Sequence, residues 1–364
     1  MSSSKKIKVI HLITSLNFGG AEIMLLDLAR RLPSEIFDVK VATTVRGGAL
    51  VDDFRNAEIP AHVFDKKSKL GLGVIWKLWR FLRHEKPDIV HTHLFGGDTW
   101  GRIAAILARV PVIVSTEHNM NFDEGWIKRK VKKFLSHFTK KIVAVSEAVK
   151  NYSVSRDKIK ARKITVIANG IDLDKFASIP EKEFGDPPVI GIIGRLEEQK
   201  GHKYLFEALN LIKTVPWILW VVGDGSKKNE LERLAKDLNL RERIIFLGAR
   251  KNVTEILSGI DIFVMPSLWE GLGLAVLEAA AAGKPIVASR AGGIQEIIED
   301  DKTGILVESK NVKSLADGLE RVLLGKIDAR EMGARAREMV KEKFSAERMV
   351  EEYEKLYKEL INKK

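Results

Sequence analysis

The chain has 364 residues, of which 45% are apolar and 30% charged, and it contains no cysteine. This length suffices for two domains of ordinary size, and the balance of residues excludes a disordered chain. The absence of cysteine excludes disulfides, thiolate metal sites and cysteine nucleophiles. The N-terminus lacks a signal-peptide pattern, and no stretch approaches the ~20 apolar residues that span a bilayer. We therefore expect a cytoplasmic protein, at most peripheral on the inner face of the cell membrane.

The formal net charge of +12 is unevenly distributed along the chain. Residues 1–180 contain 31 Lys and Arg against 18 Asp and Glu, whereas the remaining residues contain 30 against 31. The first half is therefore basic and the second close to neutral, which indicates an anionic partner for the first half alone. Anionic lipid and nucleic acid both fit this charge.

Short β-branched runs alternate with helical patterns, which is typical of parallel sheets built from βαβ units. The predicted strands cover 7–14, 39–44, 88–91, 112–116, 142–146 and 164–168, then 189–194, 218–223, 243–247, 261–265, 285–288 and 304–307. Two doubly wound domains are therefore expected. Their predicted bounds are 1–172 and 189–345, with a linker over 173–188 and a C-terminal amphipathic helix over 346–364. Such domains bind ligands just beyond the carboxyl ends of their strands.

The turn after the first predicted strand is rich in glycine, because residues 17–22 read NFGGAE. Glycines between a strand and a helix let backbone amides approach a phosphate, which the helix N-terminus then favours electrostatically. Gly19 and Gly20 are therefore candidates for binding a phosphorylated donor. An ordinary βα turn also uses two glycines, and the G-x-G-x-x-G spacing of a dinucleotide site is absent.

The corresponding turn of the second domain is cationic, because residues 194–201 read GRLEEQKG. The guanidinium of Arg195 and the ammonium of Lys200 suit a diphosphate, the first by bidentate hydrogen bonding and the second as a point charge. An ordinary solvated turn would carry the same residue types.

A third turn combines glycines with two carboxylates, because residues 265–279 read MPSLWEGLGLAVLEA. A helix that begins near Gly273 and Leu274 would direct its free backbone amides towards phosphates. Glu270 lies in the predicted turn and Glu278 on the helix eight residues later. A helical span of that length is ~12 Å, roughly the reach from a sugar across a diphosphate to a ribose. Two surface carboxylates are the alternative, but Glu278 interrupts an otherwise apolar run.

This segment resembles the E-x7-E signature of the family 4 glycosyltransferases, which are retaining enzymes with the two-Rossmann architecture called GT-B. Further elements appear in the family's order: GGAE at 19–22, NGID at 169–172, GRL at 194–196, KG at 200–201, and GG at 292–293 followed by Glu296. The resemblance spans nearly the whole chain. It implies an α/β fold of two facing Rossmann-like domains with a cleft between them, the last helix crossing back to the first domain.

The resemblance also implies roles for the matching residues. Glu270 would contact the donor sugar near the reacting centre, and Glu278 would contact the ribose hydroxyls. Arg195 and Lys200 would hold the diphosphate and offset the charge that grows as it leaves. Leu272 stands where many members have an aromatic residue, which is a mild departure from the pattern.

Two histidines follow predicted strands, His93 after 88–91 and His118 after 112–116. In the family, a histidine after the later strand often faces donor and acceptor, so His118 is the preferred catalytic candidate beside Glu270. Both histidines could instead be structural. Asp172 and Asp174 have the Asp-x-Asp spacing of a metal-dependent transferase, but they belong to the NGID element, and we expect no metal and no cofactor.

Residues 125–141 contain seven basic residues and no acidic one, with apolar residues at helical spacing. A basic amphipathic helix with a terminal tryptophan is typical of a membrane-surface element. The residues predicted to lie at a membrane or acceptor surface are Trp126, Lys128, Arg129, Lys130, Lys132 and Lys133. We expect the aliphatic face to pack inward and the lysines to face an anionic leaflet. Nucleic acid is disfavoured because no recognition-helix module or platform of stacking aromatics is present.

The patterns together with the resemblance predict a glycosyltransferase that moves a hexosyl or N-acetylhexosaminyl group from a UDP- or GDP-sugar to a glycan or lipid-linked acceptor. That the transfer retains configuration is implied by the resemblance alone. Synthesis of a cell-surface polysaccharide or glycolipid is the expected context. A non-hydrolysing nucleotide-sugar epimerase and a non-catalytic scaffold with the same fold are the alternatives. The residues do not indicate an oligomeric state.

Overall fold

The structure is a computed structural model that describes residues 5–64, 72–122, 124–180 and 183–363. The chain divides into two compact units. The first comprises residues 1–170 together with 346–364, and the second comprises 171–345. Each unit is a parallel sheet with helices in its connections, so the two-domain Rossmann-like α/β fold expected from the sequence is confirmed.

The first unit is built on a seven-stranded sheet in the order β3-β2-β1-β4-β5-β6-β7, with every described pairing parallel. Its strands are β1 (Ile7–Ile13), β2 (Phe37–Thr43), β3 (Ala61–Val63), β4 (Ile89–His93), β5 (Val112–Glu117), β6 (Lys141–Ala144) and β7 (Ile164–Val166). Its helices are α1 (Gly20–Arg31), α2 (Val51–Asn56), α3 (Leu72–Glu85), α4 (Leu94–Leu107), α5 (Trp126–Ser136) and α6 (Glu147–Ser155).

The six predicted strands correspond to β1, β2, β4, β5, β6 and β7. The expectation of six strands in this half was wrong, because the sheet contains a seventh strand, β3. Strand β3 has only three residues and pairs with β2 alone, at the edge of the sheet. So short a strand shows no alternation, and the preceding Pro60 reads as a turn signal. Pairing with a neighbouring strand, rather than local pattern, creates this element.

Central strands of the first sheet are buried on both faces, as in other parallel sheets covered by crossover helices. All residues of β4 and β5 are buried. Helix α4 approaches β1 so closely at Gly97 that a Cβ there would lie 2.7 Å from the Ile13 Cα. Only glycine permits this contact, which brings the N-terminal turn of α4 against the sheet.

The second unit is built on a six-stranded parallel sheet in the order β10-β9-β8-β11-β12-β13. Its strands are β8 (Val189–Ile193), β9 (Ile218–Val222), β10 (Ile244–Gly248), β11 (Ile262–Met265), β12 (Ile286–Ser289) and β13 (Ile305–Val307). Its helices are α7 (Asp174–Ala177), α8 (His202–Leu211), α9 (Lys228–Asp237), α10 (Val253–Gly259), α11 (Leu274–Ala281), α12 (Ile294–Ile297), α13 (Val312–Leu323) and α14 (Ala329–Lys343). All six predicted strands of this half are present.

The segment predicted as a linker contains α7, and Phe176 and Ile179 are buried. Residues 181 and 182 of that prediction lie outside the described residues, as do residues 1–4 at the N-terminus. The last helix, α15 (Ala346–Asn362), belongs to the first unit. Its apolar face, including Met349, Tyr353 and Tyr357, joins the core formed by β1, α1 and β4.

Among the helices that the structure describes, none combines the length and apolar character needed to cross a membrane.

Candidate active site

The second sheet places two of the predicted residues beside its topological switch point. Strand order reverses between β8 and β11, and ligands of doubly wound sheets bind at such a point. Arg195 follows β8 and is exposed, whereas Glu270 follows β11 and is buried. The two strands are neighbours, so both turns emerge at the same edge of the sheet.

Glu270 is held by two partners in the turn after β11. Lys200 forms an ion pair with Glu270 Oε1, and Ser267 Oγ donates a hydrogen bond to the same oxygen at 2.8 Å. The backbone carbonyl of Glu270 accepts a hydrogen bond from the Gly293 amide at 3.3 Å. The carboxylate is thus fixed and charge-compensated, and Oε2 makes neither of these two side-chain contacts.

Gln199 joins the turn of Arg195 to the turn of Glu270. The Arg195 Nη2 donates to Gln199 Oε1 at 3.2 Å, and Gln199 Nε2 donates to the Trp269 carbonyl at 2.9 Å. The Leu268 amide donates to the Gln199 carbonyl at 2.8 Å. These bonds couple the two turns and orient the guanidinium, which remains exposed to solvent.

Helix α11 begins immediately after Gly273, which is the N-cap residue with φ of 100°. This left-handed conformation favours glycine, and Leu274 is the first helical residue. As predicted, Glu270 lies in the turn and Glu278 on the helix that follows, because residues 270–273 are non-helical. Glu278 lies in the second turn of α11 and is half-buried.

Gly19 and Gly20 lie at the start of α1, with Gly19 as N-cap and Gly20 as first helical residue. Gly19 has an extended backbone with φ of −163°, which any residue adopts. A Cβ at Gly19 would instead meet the Glu22 Oε2 at 2.6 Å. The glycine therefore makes room for the carboxylate of its own helix.

Four histidines cluster at the carboxyl edge of the first sheet, around its switch point between β1 and β4. His93 Nδ1 lies 3.1 Å from His118 Nε2, and His93 Nε2 lies 3.0 Å from His11 Nδ1. His91 packs beside them, with its ring centroid 4.2 Å from that of His93. The structure thus brings together His93 and His118, which the sequence indicated, with His11 and His91, which it did not.

His91 is fixed by two hydroxyl groups. Its Nδ1 hydrogen-bonds to the Tyr357 hydroxyl at 2.6 Å, and its Nε2 to Thr116 Oγ1 at 2.7 Å. Tyr357 comes from α15, so the last helix of the chain contributes to this cluster.

All four imidazoles are neutral near pH 7. Burial lowers the pKa of His11 to about 3 and that of His118 to about 4. Burial, together with the neighbouring imidazoles, holds the pKa values of His91 and His93 well below the usual range. A buried imidazolium here would be desolvated without a counter-charge, which is why the neutral form prevails.

A signal for the two missed histidines exists in the alternation of the strands. His91 and His93 are two residues apart on β4 and therefore share a face. His11 lies directly opposite His91 in the β1–β4 pairing. The first relation is visible in the sequence, whereas the second requires the register.

Comparison with known proteins accounts for nearly all of the chain. Residues 18–175 match the model described as Glycosyltransferase Family 4, and residues 174–339 match that described as Glycosyl transferases group 1. An Escherichia coli protein named UDP-Gal:alpha-D-GlcNAc-diphosphoundecaprenol alpha-1,3-galactosyltransferase is 32% identical, over 99% of each chain.

The chain belongs to glycosyltransferase family 4.

More distant relatives agree with this assignment. The Staphylococcus aureus capsular polysaccharide biosynthesis glycosyltransferase CapM is 24% identical, over 82% of this chain and 84% of its own. The crystal structure of Anabaena HepE in complex with UDP and glucose has the same fold, with a TM-score of 0.86 at 22% identity over 97% of this chain and 100% of that one. The protein is therefore a glycosyltransferase.

In this glycosyltransferase, Asp172 Oδ2 lies 3.8 Å from Lys175 Nζ, and Asp174 is the first residue of the short helix α7. Both residues of the Asp-x-Asp spacing thus take part in local structure at the start of the second unit.

Helix α5 departs from its predicted orientation in one important residue. Lys132 was predicted at a membrane or acceptor surface, but only 3% of it is exposed. Its Nζ lies 2.8 Å from Glu117 Oε2, 3.3 Å from Asp157 Oδ2 and 3.6 Å from Glu124 Oε2. The prediction for Lys132 was therefore wrong, because three carboxylates compensate its charge inside the unit.

The charge states of Lys132 and its three carboxylate partners follow from their burial and from their mutual attraction. Burial alone would lower the pKa of Lys132, but the carboxylates outweigh it and raise that pKa above its usual value. Burial raises the pKa of Glu117, and the Lys132 ammonium opposes that rise. Lys132 is therefore a structural cation.

The apolar residues of α5 also depart from the predicted orientation. Leu135 is buried, but Ile127 and Phe134 are about 60% exposed, and Phe138 is also exposed. Trp126 is 61% exposed and lies under the Lys130 ammonium, 4.7 Å from its ring centroid. The expectation that the aliphatic face packs inward is therefore correct for Leu135 and wrong for Ile127, whereas Val131 is half-buried.

The remaining cations predicted on this helix are Lys128, Arg129, Lys130 and Lys133. Arg129 is half-buried, and the three lysines are exposed. Lys128 lies 4.4 Å from the centroid of the exposed Phe95 ring. Lysines and aromatic rings thus share the outer surface of the helix.

Proposed function

We propose that this glycosyltransferase transfers a hexosyl or N-acetylhexosaminyl residue from a UDP-sugar, with retention of configuration, to a lipid-linked acceptor at a membrane surface. The observation that carries the proposal is the compensated carboxylate of Glu270 and the exposed guanidinium of Arg195, in two turns that Gln199 joins at the switch point of the second sheet. A fixed carboxylate next to cationic side chains suits a neutral sugar attached to an anionic diphosphate.

The cationic residues supply what transfer from a nucleotide sugar requires of the protein. The departing diphosphate gains negative charge as the glycosidic bond breaks, and preorganised cations stabilise that charge. Arg195 and Lys200, with the backbone amides at the start of α11, are proposed to do this without a metal ion. The UDP and glucose bound by HepE, and the UDP-galactose in the name of the Escherichia coli relative, support a UDP-sugar.

The two carboxylates and the histidine have separate proposed roles. Glu270 contacts the sugar near its anomeric carbon, and Glu278 binds the ribose hydroxyls. Gly19 and Gly20 approach the donor phosphates. His118 contacts the reacting sugars from the first unit, as a neutral imidazole because its pKa is lowered to about 4 by burial.

A lipid-linked acceptor is supported by the name of the full-length Escherichia coli relative, which specifies a diphosphoundecaprenol-linked N-acetylglucosamine. The outer surface of α5 supports the same proposal. Exposed aromatic residues with lysines around them bind an interface by burying their rings while the ammonium groups contact anionic headgroups. Trp126, Phe134 and Phe138 are the rings, and Lys128 and Lys133 are cations beside them.

The donor and the metal requirement are tested by release of nucleoside diphosphate from UDP-, GDP- and ADP-sugars, with lipid-linked N-acetylglucosamine as acceptor and with or without chelator. We expect release from one UDP-sugar, dependent on the acceptor and unaffected by chelator. Loss of activity with chelator would contradict the metal-free mechanism. Interconversion of the donor sugar without acceptor would instead favour the epimerase, and a protein that binds UDP without turnover would be a scaffold.

The stereochemistry is tested on the product of the same reaction. Proton NMR of the new linkage should give the small anomeric coupling of an α-linkage from an α-linked donor of the gluco or galacto series. A large coupling would show inversion.

Membrane binding is tested by sedimentation with vesicles of phosphatidylglycerol and phosphatidylcholine, compared with phosphatidylcholine alone. We expect binding to the anionic vesicles and its loss in the triple variant Lys128→Gln, Lys130→Gln, Lys133→Gln. The matched control neutralises Lys158, Lys160 and Arg162, three exposed cations of the same unit. Equal losses in both triple variants would indicate general electrostatics rather than an α5 surface.

A further inference from the structure

Three histidines of the first unit are connected in series by hydrogen bonds. His11 Nδ1 lies 3.0 Å from His93 Nε2, and His93 Nδ1 lies 3.1 Å from His118 Nε2. His11 and His93 are fully buried, whereas His118 is partly exposed just beyond the end of β5. The series, which we name the histidine relay, thus runs from the interior of the sheet to its carboxyl edge.

We propose that His11 and His93 are positioning residues that set the tautomer of His118, so that its Nδ1 carries the proton and donates a hydrogen bond to an oxygen of the bound sugar or phosphate. This inference rests on the role proposed above for His118 and deepens it.

The hydrogen bonds allow only two arrangements of protons. A neutral imidazole has one N–H and one acceptor nitrogen, and burial keeps all three rings neutral. If His11 donates to His93, then His93 must donate to His118 Nε2, and the His118 proton lies on Nδ1. If His118 donates from Nε2 instead, all three tautomers are reversed. The state of His11 therefore determines the state of His118.

The two ends of the relay decide between these arrangements. Among the described residues, neither His11 Nε2 nor His118 Nδ1 has a hydrogen-bond partner. A buried N–H without an acceptor is rarer in proteins than an acceptor without a donor. Both of these atoms are buried, but His118 as a residue is partly exposed just beyond the end of β5, whereas His11 is fully enclosed, so only the His118 end lies close to a surface that a ligand can reach. The proton is therefore placed at His118 Nδ1 and the unpaired acceptor at His11 Nε2.

The same histidines could be considered as metal ligands, because one nitrogen each of His11, His91 and His93 lies within 4.8 Å of the others. However, both nitrogens of His91 are already bonded, to Tyr357 and to Thr116. The nitrogens shared between His11 and His93 already form a hydrogen bond. The geometry therefore favours a relay over a metal centre.

The relay has a consequence for ligand binding. Free imidazole groups prefer the proton on Nε2, so an isolated His118 would present an acceptor at Nδ1. The relay reverses this preference and makes Nδ1 a donor without adding charge. A neutral donor suits hydroxyl and phosphoryl oxygens and avoids the cost of burying an imidazolium.

The tautomer is measured by two-bond nitrogen–proton NMR correlations on the ligand-free protein with ¹⁵N-labelled histidine, assigned with single His variants. We expect His118 to carry its proton on Nδ1 in the unsubstituted protein. A proton on Nε2 would overturn the proposal. Zinc alone, added at one equivalent, should leave the signals of His11, His91 and His93 in place, and their displacement would overturn it in favour of a metal site.

Two variants interrupt the relay at different points. In both His11→Phe and His93→Phe, His118 should switch to the Nε2 tautomer. In the first variant His93 is no longer compelled to donate to His118, and in the second variant His93 is absent. The matched control is His91→Gln, which alters a buried imidazole beside the relay without removing a member of it, and His118 should then keep its Nδ1 proton. A switch in the control as well would indicate disturbed packing and would overturn the assignment.

Activity separates the relay from the role of His118 itself. His93→Phe should lower kcat about 10- to 100-fold, by analogy with removal of the hydrogen-bond partner that orients a metal-ligating histidine, with a smaller change in the donor KM. An active His118→Phe variant would remove the proposed role of His118, while the ligand-free tautomer would still report on the relay. A switched tautomer with undiminished kcat in His93→Phe would overturn the positioning function.

Discussion

The carboxyl edges of the two sheets share the same strand order around their switch points but carry opposite kinds of chemistry. In the first sheet the edge holds neutral imidazoles, and its nearby cation Lys132 is enclosed by carboxylates. In the second sheet the edge presents an exposed guanidinium and a lysine–glutamate pair. Both arrangements arise from parallel strands that end at one edge. The fold thus supplies the position, whereas burial determines whether a charge is compensated internally or left to meet a ligand.

The largest expected effect concerns the enclosed cation of the first unit. Lys132→Met should lower the free energy of unfolding by about 3–5 kcal/mol, because it leaves buried carboxylates without their counter-charge. Urea denaturation monitored by circular dichroism measures this. The neighbouring Lys133→Met, at an exposed position, should change stability by less than about 0.5 kcal/mol. Equal effects of the two substitutions would contradict the difference in burial.

The guanidinium at the second edge should affect rate rather than stability. Arg195→Ala should reduce kcat by about 10²–10³, as expected for loss of one preorganised group that stabilises developing charge. Nucleoside diphosphate release at saturating donor measures it. Arg233→Ala, an exposed arginine on α9 of the same unit, is the control and should keep the full rate. An unchanged rate in Arg195→Ala would remove that residue from the site.

The neutral histidines should make the protein sensitive to acid. Their pKa values are lower in the folded state than in the unfolded chain, so the unfolded chain binds more protons below pH 6.5. The contribution of these histidines to the free energy of unfolding is therefore fully present above pH 6.5. It is lost as the pH falls through the folded-state pKa values, about 4 for His118 and about 3 for His11. Each such histidine contributes a slope of up to about 1.4 kcal/mol per pH unit.

Denaturation between pH 7 and pH 4.5 in the unsubstituted protein and in His11→Phe tests this dependence. The variant should show the shallower loss of stability, since one histidine with a lowered pKa is absent. Parallel curves would mean that His11 does not contribute through its protonation.

The smallest effect concerns an exposed ion pair of the second unit, which contrasts with the enclosed Lys132 cluster. Arg321 Nη2 lies 2.8 Å from Asp301 Oδ1, and the two side chains are 39% and 58% exposed. A double-mutant cycle with Arg321→Ala and Asp301→Ala should give a coupling energy of no more than about 1 kcal/mol, because solvent screens the attraction. A coupling as large as the Lys132 effect would contradict the part assigned to burial.

Much of the fold and part of the candidate site were predictable from sequence. Twelve of the thirteen described strands followed from short β-branched runs, and Arg195, Glu270 and His118 followed from their positions after strands. Strand β3 was missed because its three residues carry no periodicity. The orientation of α5 was mispredicted because helical spacing shows which residues share a face, not which face the rest of the unit covers.

The sequence by itself determined the alternation of strands and helices, the glycines at the turns and the family to which the chain belongs. These features depend on residues close together in the chain, where local preference and spacing act. Only the tertiary structure decided that His11 faces His91 across the β1–β4 pairing and that Lys132 meets three carboxylates from separate segments. Such contacts join residues far apart in sequence, and it is their burial that makes the imidazoles neutral and the lysine structural.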